Sequence, residues 1–289
     1  MSKRAVDCVW EARAGCGEGP IWDHRTRQLW WVDISGEKIH AFAPHSGEKS
    51  SFDAPCLISS IALGAGGGLL IASARGICAF DARTGTLTPL HDPEPGLSGN
   101  RLNDMIAGPD GRLWAGTMSE GAKRSSGALY CYDAKGPVHE MTGTTISNGL
   151  GWSPDGARLY FIDSVPGVLH VCESGSWREL LVFDDTLGKP DGMTVDAEGV
   201  LWVAICDRGK VVGLSPEGKL LETIDIPCQI VTSCAFGGSD LRTLYVTTGT
   251  FSMSAEEKAA NPLAGGLFAV RMDTPGVEGF EARWPHRST

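Results

Sequence analysis

The sequence predicts an all-β chain folded as a six-bladed β-propeller, and three observations carry that prediction. A short apolar run recurs six times at intervals of about forty residues: LWWVD (29–33), LLIAS (69–73), LWAGT (113–117), LYFID (159–163), LWVAI (201–205) and LYVTT (244–248). Each run is followed by a second one (KIHAFAP, GICAFDA, ALYCYDA, VLHVCES, KVVGLSP, GLFAV). Most of these lead through SG, TG, KG or EG turns into a further short strand. Finally, helical periodicity is nearly absent: only SAEEKAANP, starting at Ser254, has a helical look. Four strands per repeat at this period describe a propeller blade, and 38 glycines supply its tight turns.

The elements follow in order. Each LWxxx-type run is the second strand of its blade. The segment ahead of it (GEGPIWD, TSCAFGG and their counterparts) is the first strand, which lines the central channel. A ring must close or leave exposed strand edges. The sixth repeat runs out of strand after GLFAV, so VDCVWEA (6–12) is expected to complete the last blade, with GVEGFEARWP as the weaker candidate. The whole chain, 1–289, is read as one propeller domain. The tryptophans of LWW, LWA and LWV are read as packing between blades.

Composition excludes several classes of function. The net charge is −10 and the longest basic run is the pair Lys123-Arg124, so no nucleic-acid partner is expected. No apolar run is long enough to span a bilayer, and the N-terminus lacks an apolar stretch of signal-peptide length. A cytoplasmic monomer without a membrane partner is the expectation. The nine cysteines contain no C-x-x-C and include Cys78, Cys131, Cys172 and Cys206 inside strand-like runs. They read as small buried hydrophobes in a reducing compartment.

One repeat position stands out. Asn103, Asn148 and Asp191 each lie eight residues before a turn glycine (Gly111, Gly156, Gly199), and Glu18 and Asn148 each lie eleven before the leucine of the next strand. Ser60 and Ser233 are assigned the same slot. First strands converge on the axis, so this position reads Glu, Ser, Asn, Asn, Asp, Ser around the channel. Two carboxylates and two amides aimed at one point repel or waste donors when empty, and they suit a hard divalent cation. The alternative is a water-filled channel with a small polar lining. Oxygen donors favour Ca²⁺, Mg²⁺ or Mn²⁺, while Zn²⁺ and Fe²⁺ also bind carboxylates and amides. Glycine or proline beside the donors (Gly19, Gly149, Pro190, Gly192) fits close backbone approach at a narrow axis.

Other catalytic schemes find no support. There is no G-x-S-x-G elbow, none of the seven histidines falls at an axial slot, and GAGGG (64–68) is a hairpin turn with no helix after it.

The motifs GEGPIWD, RLNDMIAGPDGRLWAGTM, ISNGLGWSPDG, PDGMTVDAEGVLWVA, TSCAFGG and PLAGGLFAV resemble the SMP-30/gluconolactonase/LRE-like family, which includes regucalcin and bacterial sugar-acid lactonases. The resemblance runs along nearly the whole chain. It implies a six-bladed propeller, one divalent metal in the channel mouth, and hydrolysis of small sugar lactones. It further implies that Glu18, Asn148 and Asp191 bind the metal and that Arg101 and Asn103 contact substrate. Glu120 follows AGTM as a further substrate carboxylate, although Gly121 stands where some members carry a second acid. Opening a lactone needs a polarised carbonyl, an activated water and a stabilised oxyanion. A Lewis-acid metal serves the first and third, and Asp191 is the candidate base. Two other readings remain at this stage: a calcium-binding regulatory protein without turnover, and a hydrolase of other esters or phosphotriesters.

Overall fold

Burial separates the strands of each blade by depth. The second strand of blade one, Gln28–Asp33, is buried at every residue but the first, whereas the fourth, Glu48–Asp53, has no buried residue. A strand apolar on both faces must lie between two layers, and here the layers are neighbouring blades. The computed structural model describes residues 4–133 and 136–284, and among these it contains six antiparallel four-stranded blades about one axis. Their innermost strands are Gly17–Asp23, Ile58–Gly64, Asn100–Ala107, Ser147–Trp152, Pro190–Val195 and Val231–Gly237. Tryptophans fill the wedges between blades: Trp114 of blade three meets Trp152 of blade four edge-on at 5.9 Å.

Blade six is closed as expected, by the N-terminal strand. Val6–Trp10 pairs antiparallel with Leu267–Arg271, the third strand of that blade. The weaker candidate has a different role. After Gly276 bridges to Asp196, Glu281–Ala282 adds to the innermost strand of blade two in parallel. The C-terminal segment therefore crosses the base of the propeller. Pro285 and His286 lie outside the described residues. The one helix among the described residues, Ala255–Ala260, begins with a reciprocal capping box between Ser254 and Glu257.

Every innermost strand carries a register shift against its second strand, and the shift falls at the axis in all six blades. A bulge of this kind re-aims side chains. At the mouth end of each pair of strands Gly17 faces Asp33, Ile58 Ser73, Leu102 Thr117, Ser147 Asp163, Pro190 Ile205 and Val231 Thr248; the shift follows at once in blades two, three, five and six, and one residue later, after Glu18 and Asn148, in blades one and four. The next residue around the ring is thus Glu18, Ser59, Asn103, Asn148, Asp191 and Thr232. This corrects the assignment of Ser60 and Ser233, which stand one residue further on, level with Gly19, Asp104, Gly149 and Gly192. For Ser233 the cause is turn length: blade six has a longer turn ahead of its second strand, so a count back from Leu244 slips by one. Blade two has the spacing of blade three, with Ser59 ten residues before Leu69, and Ser60 results from a count to Gly68 of GAGGG in place of Gly67.

The glycines of that next level are sites of close approach. A Cβ on Gly149 would lie 2.5 Å from the carbonyl oxygen of Asp191, and one on Gly192 would lie 2.1 Å from the Ser233 hydroxyl. Gly192→Ala is accordingly expected to cost about 2 kcal/mol or more through overpacking. Gly121→Ala, whose Cβ would meet nothing within 4 Å, should change stability by less than about 0.5 kcal/mol. Thermal denaturation of the two variants checks this, and equal melting temperatures would mean the axis is not crowded.

Candidate active site at the channel mouth

The bulges bring Glu18, Asn148 and Asp191 from blades one, four and five to the same end of the channel. Asn148 is buried, and its Nδ2 donates to Asp191 Oδ1 and, at 3.1 Å, to Ser164 Oγ. With both amide hydrogens engaged, what Asn148 has left to offer is its carbonyl oxygen. Glu18 Oε2 accepts from the Gly19 amide at 3.0 Å. Glu18 is half-buried as a residue, and its carboxyl is held well above the usual range by burial and then by the negative charges of Asp191 and Asp104. Burial likewise pushes the Asp191 carboxyl up to about 7. The hydrogen bonds that Asp191 receives from Cys206 and Asn148 only partly offset that rise.

Arg101 and Asn103 stand beside this group. Arg101 belongs to the innermost strand of blade three. Its Nη1 donates at 2.8 Å to Leu102 O and at 2.8 Å to Asn103 Oδ1. Asn103 Nδ2 in turn reaches Ser147 O at 3.0 Å and ties blade three to blade four. The guanidinium interacts with the charges of Glu18 and Glu120. Glu120 itself is exposed, on a rim loop whose backbone is anchored by a 2.8 Å bond from its amide to Gly99 O.

Two groups escaped the sequence reading. Asp104, next to Asn103 in the bulge, is a third carboxylate of the channel. The signal for it was an acid at the level where three of the other blades have glycine and two have serine. Cys206 is no strand filler: it lies just past Leu201–Ile205, half-buried, with its thiol on Asp191. All nine cysteines are free thiols.

Among the described residues no three His, Cys, Asp or Glu side chains form a ligand cluster. The mouth instead offers two carboxylates and an amide oxygen, a hard-oxygen set that leaves positions on a cation for water or substrate. The electrostatics agree with such an occupant. Two carboxylates that burial and mutual repulsion drive toward their protonated forms are stabilised as anions by a divalent charge between them. The residues fit the ion.

A model of the SMP-30/Gluconolactonase/LRE-like region matches residues 16–250. The chain belongs to that family. It is 37% identical over 279 residues to the 6-deoxy-6-sulfogluconolactonase of Pseudomonas putida, covering 94% of this chain and 96% of that one. It is 34% identical over 284 residues to regucalcin of Xenopus laevis, covering 93% of this chain and 95% of the relative. Among solved structures, the calcium-binding protein regucalcin of Agrobacterium tumefaciens superposes with a TM-score of 0.92 at 28% identity, over 98% of this chain and all of the other.

The raised carboxyls set a pH dependence. In metal-free protein the folded state binds protons that the unfolded chain releases, so stability falls as pH rises from about 4 to about 7. A divalent ion competes with those protons. The rise in melting temperature on adding Ca²⁺ or Mn²⁺ to chelator-treated protein should therefore be larger at about pH 8 than at about pH 5. In Asp191→Asn that difference should shrink, and the part owed to the buried Glu18 carboxyl should remain. An equal rise at both pH values in the unsubstituted protein would contradict this electrostatic description.

Proposed function

We propose that this protein is a metal-dependent lactonase that hydrolyses small sugar lactones, aldono-1,4- or 1,5-lactones, to aldonic acids in carbohydrate catabolism. The observation that carries the reading is the convergence of Glu18, Asn148 and Asp191 on one channel mouth beside a guanidinium, in a family with relatives named lactonases. In this reading it acts as a monomer in the cytoplasm. No helix of the described residues is long and apolar enough to cross a membrane.

Held by Glu18, Asn148 and Asp191, a divalent ion (Ca²⁺, Mg²⁺, Mn²⁺, Zn²⁺ or Fe²⁺) would polarise the lactone carbonyl and offset charge on its oxygen. Asp191 takes a proton from the attacking water as the water oxygen bonds to the carbonyl carbon. The ring C–O bond then breaks, and the ring oxygen receives that proton as it becomes a hydroxyl. A carboxylate beside a cation is a weak base, but a lactone is an activated ester, and a weak base suffices. The Asn148 amide and the Cys206 thiol hold the Asp191 carboxylate in place. Among the described residues Arg101 spends only Nη1 on the backbone and Asn103, which leaves its other N–H groups as donors for sugar hydroxyls. Glu120 and the polar rim loop 119–127 complete the substrate side. A site of this kind discriminates hydroxyl configuration, because a missing hydroxyl leaves recessed polar groups unpaired.

A second reading, a calcium-binding regulatory protein without turnover, is favoured by the Agrobacterium neighbour, which is described as calcium-binding. Turnover separates the two. Metal-stripped protein reconstituted with each ion should hydrolyse at least one pentono- or hexonolactone. Asp191→Ala should abolish activity. Asp191→Asn, which keeps an oxygen ligand but cannot accept a proton, should lower kcat by about 10²-fold or more while weakening metal binding less. Near-normal kcat in the Asn variant would end the base role, and absence of turnover on every lactone would favour the regulatory reading. Arg101→Ala and a replacement of loop 119–127 should change kcat/KM unequally across lactones. Equal losses on all of them would place specificity elsewhere on the rim.

A further inference from the structure

The other end of the channel holds a second cavity, of about 130 Å³. It is lined by the innermost strands beyond their bulges and by Val277–Phe280 of the segment that crosses the base. Its walls include Trp22, Trp152, Phe236 and Phe280, with Leu150 and Met193. No Lys, Arg or His is among its lining residues, and the only charged ones are Asp104 and Glu278. Glu278 already has His24 Nε2 at 3.5 Å. Asp104 has no such partner. Its Oδ1 accepts from Ser60 Oγ at 2.7 Å and from the Met105 amide at 2.8 Å, and among the described residues no donor reaches Oδ2.

A charge count singles out the same carboxylate. A divalent ion at the mouth would balance Glu18 and Asp191, and the Arg101 guanidinium acts on Glu18 and Glu120. Asp104 is left without a counter-charge at the inner end of an aromatic cavity, where burial raises its carboxyl above the usual range, a cost that a seated cation would offset. A hard inorganic cation would find one carboxylate and the hydroxyls of Ser60, Thr194 and Ser233, surrounded by hydrocarbon, in place of a full oxygen shell. A weakly hydrated organic ammonium finds what it needs: an anion at one end and aromatic side chains around its body. The volume suits one ring, since an apolar protein cavity of roughly 150 Å³ takes up benzene.

We infer that the base of the channel is a second binding site, for a small organic cation: an ammonium group seated on Asp104, carrying a single ring or short alkyl body packed against Trp22, Trp152, Phe236 and Phe280. The site is separate from the lactone site, and its test does not depend on turnover.

The probes are phenethylammonium and its neutral counterpart 2-phenylethanol, titrated into protein saturated with Ca²⁺. Binding is followed by calorimetry and by the fluorescence of Trp22 and Trp152. Phenethylammonium should bind one site about tenfold or more tighter than the alcohol. Asp104→Asn, which keeps an acceptor for Ser60 and Met105, should remove that preference. Phe280→Ala should weaken both ligands alike. The comparison of the two ligands in the unsubstituted protein needs no variant. Equal affinities there would overturn the inference, as would no binding of either at about 10 mM, an unchanged preference in Asp104→Asn, or ammonium binding that disappears once Ca²⁺ fills the mouth.

Discussion

At the channel axis six backbones pass so close that three positions admit no side chain: Gly19 against the Ser60 backbone, Gly149 against the Asp191 carbonyl and Gly192 against Ser233. That approach explains the bulge in each innermost strand. A regular strand would point alternate side chains straight into the axis, and six of them do not fit. With an extra residue in the inner strand, one side chain turns to the mouth and the next to the base. The channel thus acquires two polar levels, one with Glu18, Asn148 and Asp191, the other with Ser60, Asp104 and Ser233 among glycines.

The same narrowness makes the site electrostatically unstable without a counter-charge. Burial pushes the carboxyls of Glu18 and Asp191 toward protonation, and Asp104 acts on both in the same direction. Charges in a desolvated channel are costly unless paired. The single guanidinium is tied to the rim through Leu102 and Asn103, so it cannot serve all three acids. A divalent cation at the mouth would resolve most of this conflict, making ligands of the repelling carboxylates and leaving Arg101 free. The fold, the bulges and the charge of the mouth rest on one geometric fact.

Much of this was legible in the sequence. A forty-residue period with paired apolar runs is a direct image of blades, and closure by the N-terminal strand followed from the strand missing in the sixth repeat. Glu18, Asn103, Asn148 and Asp191 were readable because their blades share nearly equal turns. Ser233 was misplaced because turn length varies, and a count from the turn carries that variation to the axis; Ser60 was misplaced because the GAGGG turn offers two adjacent glycines, Gly67 and Gly68, to count from. Asp104 was hidden beside Asn103, since counting a period assigns one residue per blade, whereas a bulge presents two. Cys206 looked like strand filler because it follows five buried residues, and only the chain reversal after Ile205 turns its thiol to Asp191. The two-residue parallel pairing of Glu281–Ala282 leaves no periodic trace. It is nonetheless part of what shapes the cavity at the base.

The central claim is that these bulges assemble one divalent-cation site from Glu18, Asn148 and Asp191. Anomalous diffraction from crystals grown with Mn²⁺ tests it most directly. The account predicts one strong peak per chain, about 2.0–2.6 Å from side-chain oxygens of all three residues. A peak held by Asp104 and Ser60 instead, or no peak in the channel at saturating Mn²⁺, would contradict it.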